Sequence, residues 1–412
     1  MRFKYVAAPP LQVGPRFFFE QTWERKVVGM TIYKYNSADN HIDQRWIPAN
    51  LWQDRVADRF KKDAPKVTEN EGSWVWEWEG RIFGGRDGGA ADSPDNRQIL
   101  NEYYGKYADD LPDGALPPAD PEIILKHMDM AGIWAYVGYA SVRKWEIKDL
   151  ALRHEVHRVY NDWMTELNTV HPDRLLMLPI MPVFDPEATL VELERVKKLG
   201  CKAVELPIAD MAREIWEECW DPFWSACEDG NITVCSHIGD SAGAPYPALE
   251  RGVRMAYFSC VPFSAAKPIS QLAYSGTLMR HPKLRYNYGE CRAGWGPMLL
   301  QWMDRQAVER PGLFADTGLK EMPSEYVKRQ VTITYEEDYV AGMMLQHPES
   351  GMADILMWGA DYPHGQGVWP NADEVMERTF AGVDPEIRRR VVFDRCIEMF
   401  HLQGPDASKI AA

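Results

Sequence analysis

The sequence has no Cys-x-x-Cys pair and only seven cysteines, at positions 201, 219, 227, 235, 260, 291 and 396. So odd and scattered a set, in a chain of 412 residues, excludes a disulfide framework and a Cys-rich structural zinc site. It points instead to reduced thiols and a cytoplasmic protein. No apolar run approaches the ~18 residues that a membrane span needs. The start, Met1-Arg2-Phe3-Lys4, leads into only a few apolar residues before Pro9-Pro10, which speaks against a signal peptide. Positive charge is also in short supply. Lys and Arg number 46 against 61 Asp and Glu, for a formal charge of −15. Phosphates would be repelled, so neither nucleic acid nor an anionic membrane is expected as a partner. A small anionic substrate remains open, because a metal can set the local field. Repeats and low-complexity tracts are absent.

What is present is an alternation of strand-like and helix-like segments. The expected strands are Tyr33–Asp39, Trp134–Tyr139, Leu175–Met181, Lys202–Leu206, Ile232–His237, Leu284–Tyr288, Val331–Thr334 and Ile355–Gly359. Between them fall helices marked by Asp-Pro starts at 120–121, 185–186 and 221–222 and by glycine stops at 132, 200 and 230. Further helices are expected over 148–169, 264–280 and 336–346, after Gly294 and after Asn371. About eight strand–helix units imply parallel strands with crossover helices. The fold class is therefore α/β, a (β/α)8 TIM-type barrel, with a doubly wound sheet as the alternative. Residues 1–30, with Phe17-Phe18-Phe19, form an N-terminal arm, 31–403 the barrel and 404–412 a frayed tail. A long irregular insertion follows the first strand over 44–118. In it, Trp74, Trp76 and Trp78 read as an edge or hairpin strand, and Gly84-Gly85-Arg86-Asp87-Gly88-Gly89 as a loop that fits no phosphate-cradling pattern.

Four strand exits carry groups that bind metals or move protons. After the first strand, Asp39, His41 and Asp43 alternate and so share a face. His237 follows Ile232–Ser236, and alone it reads equally as a hydrogen-bonded core residue. Glu290 and Arg292 follow the sixth strand and read equally as an ion pair. Asp361 and His364 lie in the sharp turn Trp358-Gly359-Ala360-Asp361-Tyr362-Pro363-His364. In a barrel these exits meet at one rim. Carboxylate and imidazole donors suit zinc, manganese, iron or cobalt. The other histidines lie on helices or before proline and read as structural.

These stretches resemble the metal-dependent amidohydrolase superfamily, in the branch of aminocarboxymuconate-semialdehyde decarboxylase. The resemblance rests on Ser37-Ala38-Asp39-Asn40-His41 with Leu51-Trp52, Met128–Ile133, Asn161-Asp162-Trp163, Pro172–Leu175, Ser236-His237, and Gly359–His364 with Trp369-Pro370. It implies a barrel with a divalent ion at its C-terminal mouth, held by Asp39, His41, His237 and Asp361. His364 would touch substrate or support a ligand, and Asp361 or Glu290 would transfer a proton. Many relatives carry histidine where Glu290 stands.

The leading expectation is a metal-dependent hydrolase or decarboxylase, using Zn or Mn on a small carboxylate-bearing substrate that Arg292 would bind. One alternative is a dinuclear Fe or Mn oxygenase-type enzyme, with Asp43 and Glu290 as added ligands. Another is a non-catalytic metal-binding subunit partnered with a related barrel. A homo-oligomer or a hetero-oligomer with a related barrel is expected.

Overall fold

The structure is a computed structural model that describes residues 32–85, 120–142, 145–239, 253–364, 367–369 and 372–410. The expected arm at 1–30, the insertion beyond residue 85 and the end of the glycine-rich run lie outside these residues. Residues from Ile32 onward form one compact unit.

Eleven strands are present among the described residues: β1 Tyr35–Ile42, β2 Lys66–Asn70, β3 Ser73–Trp78, β4 Arg81–Gly85, β5 Ile133–Ala140, β6 Leu175–Met177, β7 Ala203–Glu205, β8 Thr233–His237, β9 Arg285–Gly289, β10 Val331–Tyr335 and β11 Leu356–Trp358. Eight are parallel and fall into two arcs, β1-β5-β6 and β11-β10-β9-β8-β7. Single parallel bridges span the two seams, Asn40 with Tyr362 and Ile180 with Glu205. The expected barrel is thus met as two arcs, with no continuous ladder across either seam.

Helices connect the arcs' strands, as a parallel order requires. Asp120, Asp149 and Asp185 each accept hydrogen bonds from first-turn N–H groups of the helices Pro121–Met130, Leu150–Asn168 and Pro186–Lys198. Asp221 departs from that pattern. It is the first residue of helix Asp221–Gly230 and caps nothing, and its carboxylate pairs with Arg280 at 2.9 Å instead. The left-handed stop of this helix is Asn231, not Gly230. Helices the sequence did not suggest follow at Pro311–Asp316, Pro323–Gln330, Pro385–Arg389 and Arg395–Met399.

The insertion is less irregular than expected. β2, β3 and β4 form an antiparallel sheet with β3 in its centre, so the tryptophan strand is not an edge. Trp76 and Trp78 are buried against Trp145, and Trp52 packs on both Trp76 and Trp145.

The N-terminal end of the parallel strands is plugged by the end of the chain. Cys396, Met399, Phe400 and Leu402 pack on Ala38, Ala135, Val137, Leu176, Ala203 and Cys235. Asn36 Nδ2 donates to the Phe393 carbonyl at 2.8 Å, and the Thr233 hydroxyl donates to the Met399 carbonyl. Residues 404–410 are docked rather than frayed, since Tyr33 N–H donates to the Lys409 carbonyl at 2.7 Å. No helix among the described residues is long and apolar enough to cross a membrane.

Candidate metal and substrate site

The opposite, C-terminal end of the strands gathers the polar groups. Along β1, Ser37 and Asn40 tie the backbone down. The Ser37 hydroxyl donates to Asn40 Oδ1 at 2.8 Å and accepts from the Ala360 N–H at 2.7 Å. Asn40 Nδ2 donates to the carbonyls of Ser37 and Val137. The pairing with β5 shifts on either side of Ser37. Asp39 and His41 are left pointing into one cluster.

Asp39 is fully buried. Its Oδ2 accepts from the Thr334 hydroxyl at 2.7 Å. Its Oδ1 has no hydrogen-bond partner among the described residues. That oxygen lies 3.5 Å from His237 Nε2 and 3.6 Å from His41 Nε2. His41 Nε2 is in turn 3.2 Å from Asp361 Oδ1. His237 Nδ1–H donates to the Ile238 carbonyl at 3.0 Å, which turns the Nε2 lone pair to the cluster. Donor atoms about 2.1 Å from one ion at tetrahedral angles stand about 3.4 Å apart. The observed spacings match that figure. Two sets, Asp39–His41–His237 and His41–Asp361–His364, have donor atoms within 4.8 Å of one another.

The backbone is bent to make this happen. Glu290, Arg292 and Asp361 all adopt left-handed φ, at 57°, 61° and 52°, a conformation costing about 1–3 kcal/mol each. Two glycines allow the close approach. A Cβ at Gly289 would stand 2.7 Å from the His237 ring and 3.0 Å from Asp39 Oδ2, and one at Gly359 would stand 2.5 Å from Asp39 Cβ.

Crowded, buried acids have shifted proton affinities. Burial pushes Asp39 up to about 6, against the pull of His41. Burial lowers His41 to about 4, helped by the charge of His364. Burial, then the charges of Asp361, Glu336 and Asp39, raise Glu290 well above the carboxylate range. Asp361 moves the other way: burial opposes its charge, but His364 and His41 hold its carboxyl below the usual range. His364 is held well above the imidazole range by Asp361 and Asp43, against burial.

The residues singled out from sequence do not all meet in one place. Asp39, His41, His237 and Asp361 cluster, with Glu290 Oε2 at 3.3 Å from His237 Nε2. Asp43 lies past the end of β1 and pairs with His364 Nε2 at 3.2 Å, so it joins the His364 side rather than Asp39. His364 Nδ1 is 2.7 Å from Asp361 Oδ1, and its ring stacks on His41 at 4.1 Å. Arg292 pairs with Glu336, not Glu290.

Glu336 and Thr334 are the site residues sequence reasoning missed. Besides binding Asp39, the Thr334 hydroxyl accepts the Glu290 N–H at 2.7 Å. Burial lifts Glu336 to about 8, against the charge of Arg292. A signal existed: Thr332-Ile333-Thr334-Tyr335-Glu336 alternates and ends on an acid, like the other exits. Placing 336 at the start of the expected helix 336–346 hid it.

The amidohydrolase family profile matches residues 113–394, more than half of the chain. That match leaves out β1, so Asp39 and His41 rest on geometry. No curated protein sequence matches the chain. Solved structures similar in fold include an amidohydrolase from Mycobacterium avium subsp. paratuberculosis K-10, at 18% identity and TM-score 0.68 over 91% of this chain and 99% of that one. The 2,6-dihydroxybenzoate decarboxylase from Rhizobium is similar at 18% identity and TM-score 0.57, over 90% and 100%. A dihydroxybenzoic acid decarboxylase from Polaromonas sp. JS666, solved with bound manganese and the inhibitor 2-nitroresorcinol, is similar at 19% identity and TM-score 0.55, over 75% and 94%. The chain belongs to the amidohydrolase family, TIM-barrel enzymes of hydrolase or lyase type, and its histidines and aspartates are positioned for a divalent metal.

Proposed function

We propose that this enzyme decarboxylates or hydrolyses a small carboxylate-bearing organic substrate at one divalent ion, on the rim of an eight-stranded barrel. The observation that carries the reading is the buried Asp39 Oδ1, which has no hydrogen-bond donor among the described residues but sits 3.5–3.6 Å from two imidazole nitrogens. A buried carboxylate oxygen left so is costly unless a cation completes its surroundings.

Asp39, His41, His237 and Asp361 would hold the ion. When bound, a divalent ion supplies Lewis-acid polarisation of substrate oxygens. Arg292 would receive the substrate carboxylate. Glu290 and Asp361 stand at the cluster and would move the proton. In a decarboxylation the carbon–carbon bond to the carboxylate breaks, the electron pair stays on the carbon, and a proton from one of these acids takes the vacated position. Names of two solved relatives, both dihydroxybenzoate decarboxylases, support this branch over hydrolysis.

The second donor set favours one ion rather than two. Both nitrogens of His364 face carboxylates, Asp361 at 2.7 Å and Asp43 at 3.2 Å. An imidazolium so engaged has no lone pair for a metal. His364 then orients Asp361.

Two measurements test the proposal: elemental analysis of the purified protein, and carbon dioxide release from a panel of hydroxybenzoates with and without Asp361→Asn. One divalent ion per chain and loss of turnover in the variant are expected. A protein that takes up no divalent metal, or a fully active variant, overturns the reading.

A further inference from the structure

Arg292 is held in an unusual way. Its backbone is left-handed, two residues after the equally left-handed Glu290, so the turn between them presents both side chains at a conformational cost. Its guanidinium meets the carboxylate of Glu336 through Nη1. The two partners differ sharply in exposure. The Glu336 side chain is 1% exposed and the Arg292 side chain 33%. The pair therefore has a buried acid at its base and a cation whose outer part reaches solvent at the rim. Apart from a long 3.4 Å contact of Nη1 to the Glu337 carbonyl, Arg292 makes no other hydrogen bond among the described residues. Its Nε and Nη2 thus form an edge with no partner among the described residues, and two parallel N–H groups on one edge match a carboxylate.

Glu336 itself is hard to explain as a stabilising residue. A carboxylate taken fully out of water costs several kcal/mol, which a single ion pair with a partly exposed partner seldom recovers. Asp39, Glu290 and Asp361 add negative charge nearby, and all three act on Glu336 or Arg292 electrostatically. Glu336 pairs with Arg292, while Glu290 Oε2 lies by His237.

We propose that Glu336 is a positioning residue, which pins Nη1 of Arg292 so that the Nε–Nη2 edge is presented to the carboxylate of the substrate. This rests on the proposed reading of the site as acting on a carboxylate-bearing molecule, and it adds the residue that sets this selectivity. Preorganisation is the physical point. A free arginine loses rotamer freedom on binding, whereas one already tethered loses less for each hydrogen bond formed.

The test uses benzoate as the anionic probe and benzamide as its neutral counterpart, measured by calorimetry on the full-length protein with and without added manganese. The unaltered protein should prefer benzoate by about tenfold or more, the usual scale for hydrogen bonds to a charged group. Arg292→Ala should abolish the preference. Glu336→Leu, which keeps the bulk and removes both oxygens that Nη1 can meet, should weaken benzoate by about fivefold to tenfold and leave benzamide and manganese stoichiometry unchanged. Glu336→Asp should restore part of the loss, which a purely structural role would not predict. Benzoate binding by Glu336→Leu equal to that of the unaltered protein overturns the proposal, as does an unaltered protein without preference. A protein that discriminates the probes yet takes up no manganese would sink the metal reading and leave this one standing.

Discussion

The two ends of the parallel strands solve opposite problems with the same material. At the N-terminal end, two buried polar side chains have fixed backbone partners: Asn36 bonds the Phe393 carbonyl and Thr233 the Met399 carbonyl. Around them Phe400, Met399 and Leu402 fill the space between small residues such as Ala38, Ala135 and Ala203. At the C-terminal end, five carboxylates and three imidazoles crowd together, with left-handed backbone at Glu290, Asp361 and the neighbouring Arg292. Asn36 and Asp39 lie only three positions apart on one strand, yet Asn36 is satisfied while Asp39 Oδ1 has no hydrogen-bond partner among the described residues. The packed plug lies at one end and the candidate site at the other, the division that barrel enzymes show.

The largest test of this division is at the plug. Phe400→Ala should destabilise the fold by about 3–5 kcal/mol, read as a lower urea midpoint, because the side chain is fully buried. Metal stoichiometry below the transition should not change. Loss of metal from the folded variant would show that the two ends are not separate. Next in size, His237→Ala should lower metal affinity by more than about 100-fold, since losing a donor costs more than losing its support. Its urea midpoint without metal should stay the same or rise, and a large fall would place His237 among the stabilising residues instead.

Thr334→Val removes a hydroxyl that touches both Asp39 and Glu290, and metal affinity should fall by about 10–100-fold in a titration. An unchanged affinity would mean that Asp39 is held by its backbone alone. The smallest effect contrasts a buried imidazole outside the cluster with those within it. Burial, then the charges of Arg153 and His154, lower His157 from its ordinary 6.5 to about 3. The unfolded chain takes up a proton near 6.5 while the folded one does not until about 3, so stability falls as pH drops through that window. The slope for this group is about 1.4 kcal/mol per pH unit. Denaturant midpoints of His157→Gln should fall less steeply between pH 6 and pH 4 than those of the unaltered protein. Parallel curves would show that His157 does not set the slope.

Local signals were legible where one residue decides one feature. Asp120-Pro121 and Asp185-Pro186 start helices because a short carboxylate caps N–H groups wherever the chain turns. The alternation of Asp39 and His41 and the turn around Asp361 announced themselves because acids and histidines after apolar runs are rare. Pairing between distant residues was not legible. Arg292 sits beside Glu290 in sequence, but the left-handed turn sends it to Glu336, and no local rule predicts which acid wins. Asp43 obeys the period of the strand on paper, yet β1 ends at Ile42 and the chain turns away. The insertion's sheet was hidden because its glycines and charges look like loop until Trp76 finds Trp52 and Trp145.

Tyr33 and Ile410 pair side by side, so the beginning and end of the compact unit are neighbours. A short peptide could join them, and new termini could be opened elsewhere, for instance in the exposed hairpin at Glu71-Gly72 between β2 and β3. Such a circularly permuted chain would keep the strand order in space while changing the order of synthesis. It would reveal whether the plug must be made last for the rim to assemble.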